Sequence, residues 1–250
     1  MDPIRLVQFT DTHLFGDAAG TLRGIATLAT LRSVLNRAQS AIAAAEAVLV
    51  TGDLVQDDPG GYAVFRREFA ALGKPILCIA GNHDAPVEMR RVLAGAPFQI
   101  DGEFDLGRWR LVMLDSFLAG SAAGRLSAAE LARLDRALAG AAARHALVCL
   151  HHHPVAMHSR WLDTVGLENP AELFATLARH ANVRALLWGH VHQTLDTTRG
   201  DLRLLATPST CAQFLPYAED FALDVRPPAW RELTLHADGR IDTEVRWLAD

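Results

Sequence analysis

An apolar run, Pro75–Ala80, leads directly into the polar tetrapeptide Gly81-Asn82-His83-Asp84. A short apolar run bounded by turn residues is typical of a strand that is buried in a parallel sheet. Taken alone, the tetrapeptide could be an ordinary turn between a strand and a helix. The same arrangement recurs along the chain, and this recurrence predicts both the fold and the site.

Four other clusters built from Asp and His residues also follow apolar runs. They are Asp11-Thr12-His13 after Ile4–Thr10, Gly52-Asp53 after Ala47–Thr51, His151-His152-His153 after Ala146–Leu150, and Gly189-His190-Val191-His192 after Val183–Trp188. In open α/β sheets, ligands bind at the carboxyl ends of the strands. The clusters therefore predict one shared site at that edge.

Strand and helix patterns alternate through most of the chain. Strands are predicted at residues 4–10, 47–51, 75–80, 110–114, 146–150 and 183–188, and helices at 24–45, 62–72, 86–94, 127–139 and 169–179. Two helix starts have specific signals, a capping box that begins at Ser127 and an Asn169-Pro170 cap. This alternation predicts a parallel sheet with right-handed crossovers.

After residue 192 the pattern changes to strands only. These strands are predicted at residues 195–198, 202–206, 230–236 and 241–247. Asp238-Gly239 is a strong hairpin signal between the last two. Because no linker or repeat is visible, we expect residues 1–250 to form one domain of the α/β class, with two packed sheets and outer helices.

The composition is that of an ordinary globular protein, with 50% hydrophobic and 21% charged residues. The net charge of −5 argues against nucleic acid as the main partner. No apolar run approaches the roughly 20 residues that cross a bilayer, and no signal-peptide pattern opens the chain. Cys78, Cys149 and Cys211 lack metal-site spacing and are expected to be reduced. We therefore expect a cytoplasmic protein without a membrane partner.

The residues of the clusters have the side chains that bind transition metals. Imidazole nitrogens and carboxylate oxygens suit Zn, Fe and Mn. The candidate ligands are Asp11, His13, Asp53, Asn82, His151, His190 and His192. Because this set exceeds the four or so ligands of one such ion, it favours two ions that share a carboxylate. Asp53 is the natural bridge, since Gly52 allows a close approach.

Each cluster also has a purely structural interpretation. Asp-x-His at a strand end is usually a hydrogen-bonded turn, and three consecutive histidines could belong to a polar loop. Their joint occurrence at successive strand ends makes a coincidence unconvincing. The histidines outside the clusters are expected to be structural or surface residues, with His158 kept as a candidate for a substrate loop. These are His145, His158, His180 and His236.

The ordered motifs resemble those of the calcineurin-like metallophosphoesterase superfamily. Longer segments resemble the bacterial class III cyclic AMP phosphodiesterases. These segments are Thr10–Phe15, Thr51–Asp57, His151–Pro154, Leu205–Cys211 and Trp230–Gly239. The resemblance covers nearly the whole chain. It implies a four-layer α-β-β-α sandwich of two mixed β-sheets flanked by helices.

The resemblance also implies two metal sites. It places Asp11, His13, Asp53 and His192 at the first metal, and Asp53, Asn82, His151 and His190 at the second. The sequence alone leaves open whether His151 or His152 is the ligand; the resemblance favours His151. The implied ions are Fe²⁺ or Mn²⁺, with Zn²⁺ as a further choice.

Catalytic and substrate-binding roles follow from the same resemblance. His83 is expected to face the substrate phosphate, with Asp84 orienting its ring. Substrate contacts are expected from His13, Asp53, Asn82, His83 and His192. Trp161, Phe214 and Tyr217 are candidates for stacking on a base, and a packing role is equally open for each.

The implied reaction is hydrolysis of 3′,5′-cyclic AMP to 5′-AMP, with a hydroxide that bridges the metals attacking phosphorus. Two divalent ions, two carboxylates and one hydroxide sum to about +1, which suits a singly charged diester. One alternative is another phosphodiester, such as a glycerophosphodiester or a nucleotide-lipid, or a phosphomonoester. A metal-free binding or scaffold protein on the same fold is the alternative from a different class.

Overall fold

The computed structural model describes residues 2–249. The strands are β1 Ile4–Phe9, β2 Thr21–Leu22, β3 Ile25–Ala26, β4 Ala47–Thr51, β5 Ile76–Ile79, β6 Phe98–Ile100, β7 Gly102–Leu106, β8 Trp109–Met113, β9 His145–Cys149, β10 Val183–Trp188, β11 Leu195–Arg199, β12 Leu202–Ala206, β13 Gln213–Phe214, β14 Leu223–Asp224, β15 Ala229–Leu235 and β16 Ile241–Trp247. The helices are α1 Thr27–Arg37, α2 Gln39–Ala44, α3 Gly61–Ala70, α4 Pro86–Val92, α5 Ala128–Ala139 and α6 Pro170–Leu177, with a 3₁₀ turn at Leu162–Thr164. Within the same residues, every helix is too short or too polar to span a membrane.

Two mixed six-stranded sheets form the centre of the fold. The first has the order β16-β15-β1-β4-β5-β6 and the second the order β11-β12-β10-β9-β8-β7. In the first sheet β1, β4, β5 and β6 run parallel to one another. β15 is antiparallel to β1, and β16 is antiparallel to β15. In the second sheet β8, β9, β10 and β12 run parallel, between antiparallel edge strands. The prediction of two mixed sheets is confirmed.

Alternate side chains of each buried strand enter different cores. In β4, Val48 and Val50 pack towards the helices on one side, whereas Ala47 and Leu49 pack between the two sheets. β10 shows the same alternation, with Leu187 between the sheets. Successive side chains of a strand point to opposite faces, so a continuous apolar run supplies two cores at once. The outer cores lie under α1–α4 and under α5–α6, which confirms the predicted four layers.

The predicted helix at 24–45 is wrong at both its start and its continuity. Residues 25–26 form β3, and Gly24, with φ of 82°, sits in the turn before it. The helical part then divides into α1 and α2 at Ala38, whose ψ is 0°. Leucines at helical spacing cannot reveal such a break, since the same stripe continues through it.

The two predicted helix caps differ in outcome. Ser127 Oγ accepts the Glu130 backbone N–H at 3.1 Å, which confirms the cap of α5. Asn169 does not cap α6; its side chain instead pairs with both backbone groups of Leu126 at 3.0 Å. Asn169 therefore ties the loop before α5 to the start of α6.

Strands β6 and β7 were not predicted. Both lie at sheet edges and are short, and in β7 the exposed Glu103 and Asp105 alternate with half-buried residues. Such strands lack the apolar run that marks a central strand.

Candidate metal centre

Five of the seven candidate ligands have a left-handed backbone conformation, on short segments that follow the strands. The φ angles are 54° at Asp11, 45° at His13, 50° at Asp53, 67° at His190 and 48° at His192. Non-glycine residues seldom adopt this conformation, and it concentrates at functional sites. The chain therefore turns at both Asp11 and His13 and is not extended between them.

Backbone hydrogen bonds hold two of these segments side by side. The Asp11 N–H donates to the Gly52 carbonyl and the His13 N–H to the Asp53 carbonyl, each at 3.0 Å. A third segment joins them through the Asp11 carboxylate, which accepts the His190 N–H at 3.0 Å. Hydrogen bonds therefore join the segments that follow β1, β4 and β10, across both sheets.

The first group of side chains converges around His13 and His192. Their Nε2 atoms are 3.1 Å apart, and His192 Nε2 lies 3.4 Å from Asp11 Oδ1. His13 Nε2 lies 3.9 Å from Asp53 Oδ2. All four side chains are buried.

The second group meets the first at Asp53. His151 Nε2 lies 3.4 Å from Asp53 Oδ2, 3.3 Å from Asn82 Oδ1 and 3.2 Å from His190 Nδ1. Asp53 thus lies within 4 Å of one histidine from each group. Neutral imidazole and carboxylate donors that converge in this way could hold two divalent ions.

Glycine is required where the segments pack most closely. A Cβ on Gly81 would lie 2.2 Å from Asp53 Oδ1 and 2.6 Å from His151 Nε2. A Cβ on Gly52 would lie 2.3 Å from His151 Nδ1. Both contacts are far shorter than packing allows, so these glycines let the His151 ring reach the site.

Backbone carbonyls orient three of the histidine rings from behind. The bonds join His151 Nδ1 to Thr51 at 2.7 Å, His190 Nε2 to Val165 at 3.0 Å and His192 Nδ1 to Ala212 at 2.7 Å. A carbonyl only accepts, so each of these nitrogens carries the proton. The opposite nitrogen faces the cluster and is the atom that would bind a metal, after losing any proton it carries.

Charge and burial set the protonation of the centre. Burial lowers the pKa of His13 to about 4 and that of His190 well below its usual value. Burial also acts to lower the pKa of His151, but the adjacent Asp53 carboxylate overcomes it and raises the pKa to about 9. Although burial opposes ionisation of Asp53, the neighbouring His151 holds the pKa of this carboxyl well below its usual range. Asp53 is therefore ionised at neutral pH, as a metal ligand must be.

His83 lines the same pocket and has a carboxylate partner. Its Nδ1 lies 2.9 Å from Asp57 Oδ2, and Gln56 Nε2 donates to the same oxygen at 2.8 Å. The His83 backbone N–H donates to Asp53 Oδ1 at 2.9 Å. Gln56 Nε2 also lies 2.9 Å from Nδ1, so Asp57 and Gln56 both hold the ring at this nitrogen.

The prediction that Asp84 orients the His83 ring is wrong. Asp84 Oδ2 accepts the backbone N–H groups of Gly81 at 2.8 Å and Leu54 at 3.2 Å, and its Oδ1 accepts the Tyr62 hydroxyl at 2.9 Å. The turn directs this side chain into the protein, where it joins the Asn82 turn to the end of β4. Burial and the nearby Asp53 carboxylate raise the pKa of Asp84 to about 7.

The contacts of the two side chains favour His151 over His152 as the candidate ligand. His151 Nε2 approaches both Asp53 and Asn82, whereas His152 Nδ1 lies 2.8 Å from the Ser116 hydroxyl. One ring nitrogen of His152 also lies within 4.8 Å of a ring nitrogen of His151 and of His190, and all three side chains are buried. Its Nε2 has no hydrogen-bond partner among residues 2–249.

The pocket above the centre has a volume of about 230 Å³ and two unlike sides. We call one side the polar floor, formed by His13, Asp53, Asn82, His83, His190 and His192. We call the other the aromatic wall, formed by Arg23, Trp161, Phe214 and Phe221. Most predicted ligands are thus brought to the floor, with Asp11 and His151 buried behind it.

Only part of the aromatic wall was predicted. Trp161 and Phe214 line the pocket, whereas Tyr217 is 77% exposed and lines a separate cleft beside His158. Arg23 and Phe221 were missed. Neither follows an apolar run, and one lies in the β2–β3 turn, so no sequence signal marked them.

The other histidines lie outside the pocket lining. His180 Nε2 lies 2.7 Å from Asp135, and His236 Nε2 lies 2.7 Å from Asp242. His145 Nε2 lies 3.2 Å from a backbone carbonyl.

Comparison with known proteins identifies the class of protein that this fold and site represent. Residues 4–194 match the calcineurin-like phosphoesterase family. The chain belongs to this family. Members of the family use a dinuclear metal centre, and the two buried groups around Asp53 are of the type that holds one.

Curated relatives are similar over nearly the whole chain. The chain is 43% identical over 248 residues to the 3′,5′-cyclic adenosine monophosphate phosphodiesterase CpdA of Pseudomonas aeruginosa. The aligned region covers 99% of this chain and 91% of that protein. It is 41% identical over 249 residues to the protein of the same name from Escherichia coli (strain K12), covering 99% and 90%.

A solved structure shares the fold. The crystal structure of a dimetal phosphatase from Danio rerio superposes with a TM-score of 0.68, at 15% identity, covering 99% of this chain and 100% of that chain. At this identity the likeness concerns the fold alone.

Proposed function

We propose that the protein is a metal-dependent phosphodiesterase that hydrolyses 3′,5′-cyclic AMP to 5′-AMP. The observation that carries the proposal is the complete set of donor side chains around Asp53, in a chain that matches curated cyclic AMP phosphodiesterases at 41–43% identity over 99% of its length. A metal-free scaffold would not be expected to keep every donor in place, and none is replaced here.

Two ions would be held by these donors. Asp11, His13, Asp53 and His192 would hold one ion, and Asp53, Asn82, His151 and His190 would hold the other. Bound divalent ions would act as Lewis acids towards the diester and make water a stronger nucleophile. The donor set holds nitrogen and oxygen but no thiolate, which favours Fe²⁺ or Mn²⁺ and also allows Zn²⁺.

The chain's own residues then position the substrate and move a proton. His13, Asn82, His83 and His192 line the floor against which the phosphate must lie. Water adds to phosphorus and gives up one proton to solvent, and the bond from phosphorus to the 3′ oxygen breaks. His83, whose Nδ1 lies 2.9 Å from Asp57, is placed to donate a proton from Nε2 to the departing 3′ oxygen.

The test is a substrate panel on metal-free protein reconstituted with Mn²⁺ or Fe²⁺. We expect cyclic AMP to be hydrolysed in preference to glycerophosphodiesters and simple monoesters, and the metal-free protein to be inactive. In ¹⁸O-labelled water, one label should appear on the 5′-AMP phosphate and none on the ribose. Untouched cyclic AMP together with rapid turnover of another ester would refute the proposed substrate.

We further propose that the enzyme is cytoplasmic and that residues 1–250 form one domain. Cys78, Cys149 and Cys211 are buried and unpaired, which suits a reducing compartment. β15 and β16 return to the sheet that contains β1, so the end of the chain supports its beginning.

A further inference from the structure

The chemistry proposed above at phosphorus uses no residue of the aromatic wall. Its members come from three separate segments, the β2–β3 turn, the loop before α6 and the β13–β14 hairpin. The pocket volume of about 230 Å³ lies below the roughly 300–1,000 Å³ of most small-molecule sites, so a ligand of nucleotide size would contact both the floor and the wall.

The three rings of the wall hold one another edge to face. Trp161 and Phe214 have centroids 5.2 Å apart, Trp161 and Phe221 are 5.1 Å apart, and Phe214 and Phe221 are 5.3 Å apart, with interplanar angles of 70–74°. Such pairs are the favoured arrangement of aromatic rings. The three rings therefore pack against one another, and this packing defines their orientations in the wall.

The wall is also attached to the floor. The Phe214 ring stacks on His192, with centroids 3.9 Å apart and planes 8° from parallel. The Phe214 N–H donates to the His192 carbonyl at 3.3 Å. A group that rests on the wall is thus held at a defined distance from a candidate metal ligand.

The outer edge of the wall is an unusual exposed pair. Arg23 places its guanidinium carbon 4.7 Å from the centroid of Phe221, which is 40% exposed. Within residues 2–249, Arg23 forms no ion pair with a carboxylate. The positive φ angles of Arg23, 52°, and Gly24, 82°, fix the turn that presents it. Arg23 and Phe221 are thus both exposed and both line the pocket, where a ligand could contact them.

We propose that the aromatic wall is the base-binding subsite and that Arg23 and Phe221 determine specificity for a nucleoside over a non-aromatic diester. This inference rests on the proposed function. Rings and guanidinium planes stack on any nucleobase, because every base has a π-face. Stacking does not read the Watson–Crick edge, so the subsite accepts both cyclic AMP and cyclic GMP.

The test compares Phe221→Leu and Arg23→Ala with the wild type. Leucine keeps much of the apolar bulk but removes the π-face, and Tyr217→Leu is a matched control at an exposed aromatic outside the pocket. We expect KM to rise about 10-fold for both cyclic nucleotides, at a nearly constant kcat, in the two wall variants. Turnover of glycerophosphoethanolamine, which has no ring, should be unchanged in all three variants.

Equilibrium binding of 5′-AMP to the metal-loaded protein gives a measurement independent of turnover. Its dissociation constant should rise by a similar factor in the wall variants and stay constant in Tyr217→Leu. If the wild type hydrolyses cyclic AMP while KM and AMP binding are unchanged in both wall variants, the subsite is wrong and the proposed function stands. If the wild type neither hydrolyses cyclic AMP nor binds AMP, both are wrong. A loss confined to cyclic AMP, with cyclic GMP unaffected, would overturn recognition by stacking.

Discussion

The polar floor and the aromatic wall meet in one pocket but are built in different ways. The floor comes from short segments directly after buried strands, and Asp53 and His192 in it are almost fully buried. The wall comes from a turn, a loop and a hairpin, and its outer members Arg23 and Phe221 are exposed. The difference suits a division of roles. The sheets fix the positions of the floor residues, whereas the wall residues, which we propose select the ligand, lie on connecting segments that can vary without disturbing the sheets.

The largest effect should come from the centre of the floor. Asp53→Ala removes the donor that lies beside both histidine groups, so we expect activity to fall below detection. Metal analysis should show less metal per chain than in His192→Ala, which removes a donor from only one group. Two tightly bound ions per chain in Asp53→Ala would contradict the shared role of Asp53.

His83→Ala should separate proton transfer from metal binding within the floor. His83 lines the pocket, and only its backbone N–H bonds to Asp53, a contact that alanine keeps. We expect kcat to fall about 10²-fold with the metal content unchanged, the scale of a lost acid or oxyanion donor. Loss of metal in this variant would mean that the ring is a ligand or a structural support.

Two neighbouring carboxylates should behave differently, because only Asp57 contacts the His83 ring. Asp57→Asn removes the acceptor at Nδ1 and should lower kcat about 10-fold, with a changed pH profile and an unchanged melting temperature. Asp84→Asn disturbs three buried hydrogen bonds and should lower the free energy of unfolding by about 2 kcal/mol. A pH profile that changes in Asp84→Asn but not in Asp57→Asn would reverse this assignment.

The smallest effect should appear where the wall contacts the floor. Phe214→Leu removes the ring that stacks on His192, a type of contact worth about 1 kcal/mol. We expect metal affinity to fall only a few-fold, with a rise in KM for cyclic AMP. Phe221→Leu, which has no contact with His192, should raise KM without changing metal affinity. Equal metal affinities in the two variants would mean that the wall does not support the floor.

Local patterns were sufficient for the architecture and for most of the floor. Apolar runs such as Ala47–Thr51 and Val183–Trp188 identify strands that are buried on both faces. The carboxyl ends of parallel strands share an edge, so polar residues after such runs come together without any further information. The resemblance to a family then connected the clusters to roles, which the contacts of His151 support.

Tertiary structure decided what depends on contacts between distant segments or on backbone direction. Asp84 is adjacent to His83 in sequence, but the turn directs it to Tyr62, and Asp57 reaches the ring from another loop. Arg23 meets Phe221 only because the β2–β3 turn and the β13–β14 hairpin converge over the same pocket. Periodicity records which face of an element is buried, but carries no information about which loops meet, because that depends on how the sheets and helices pack.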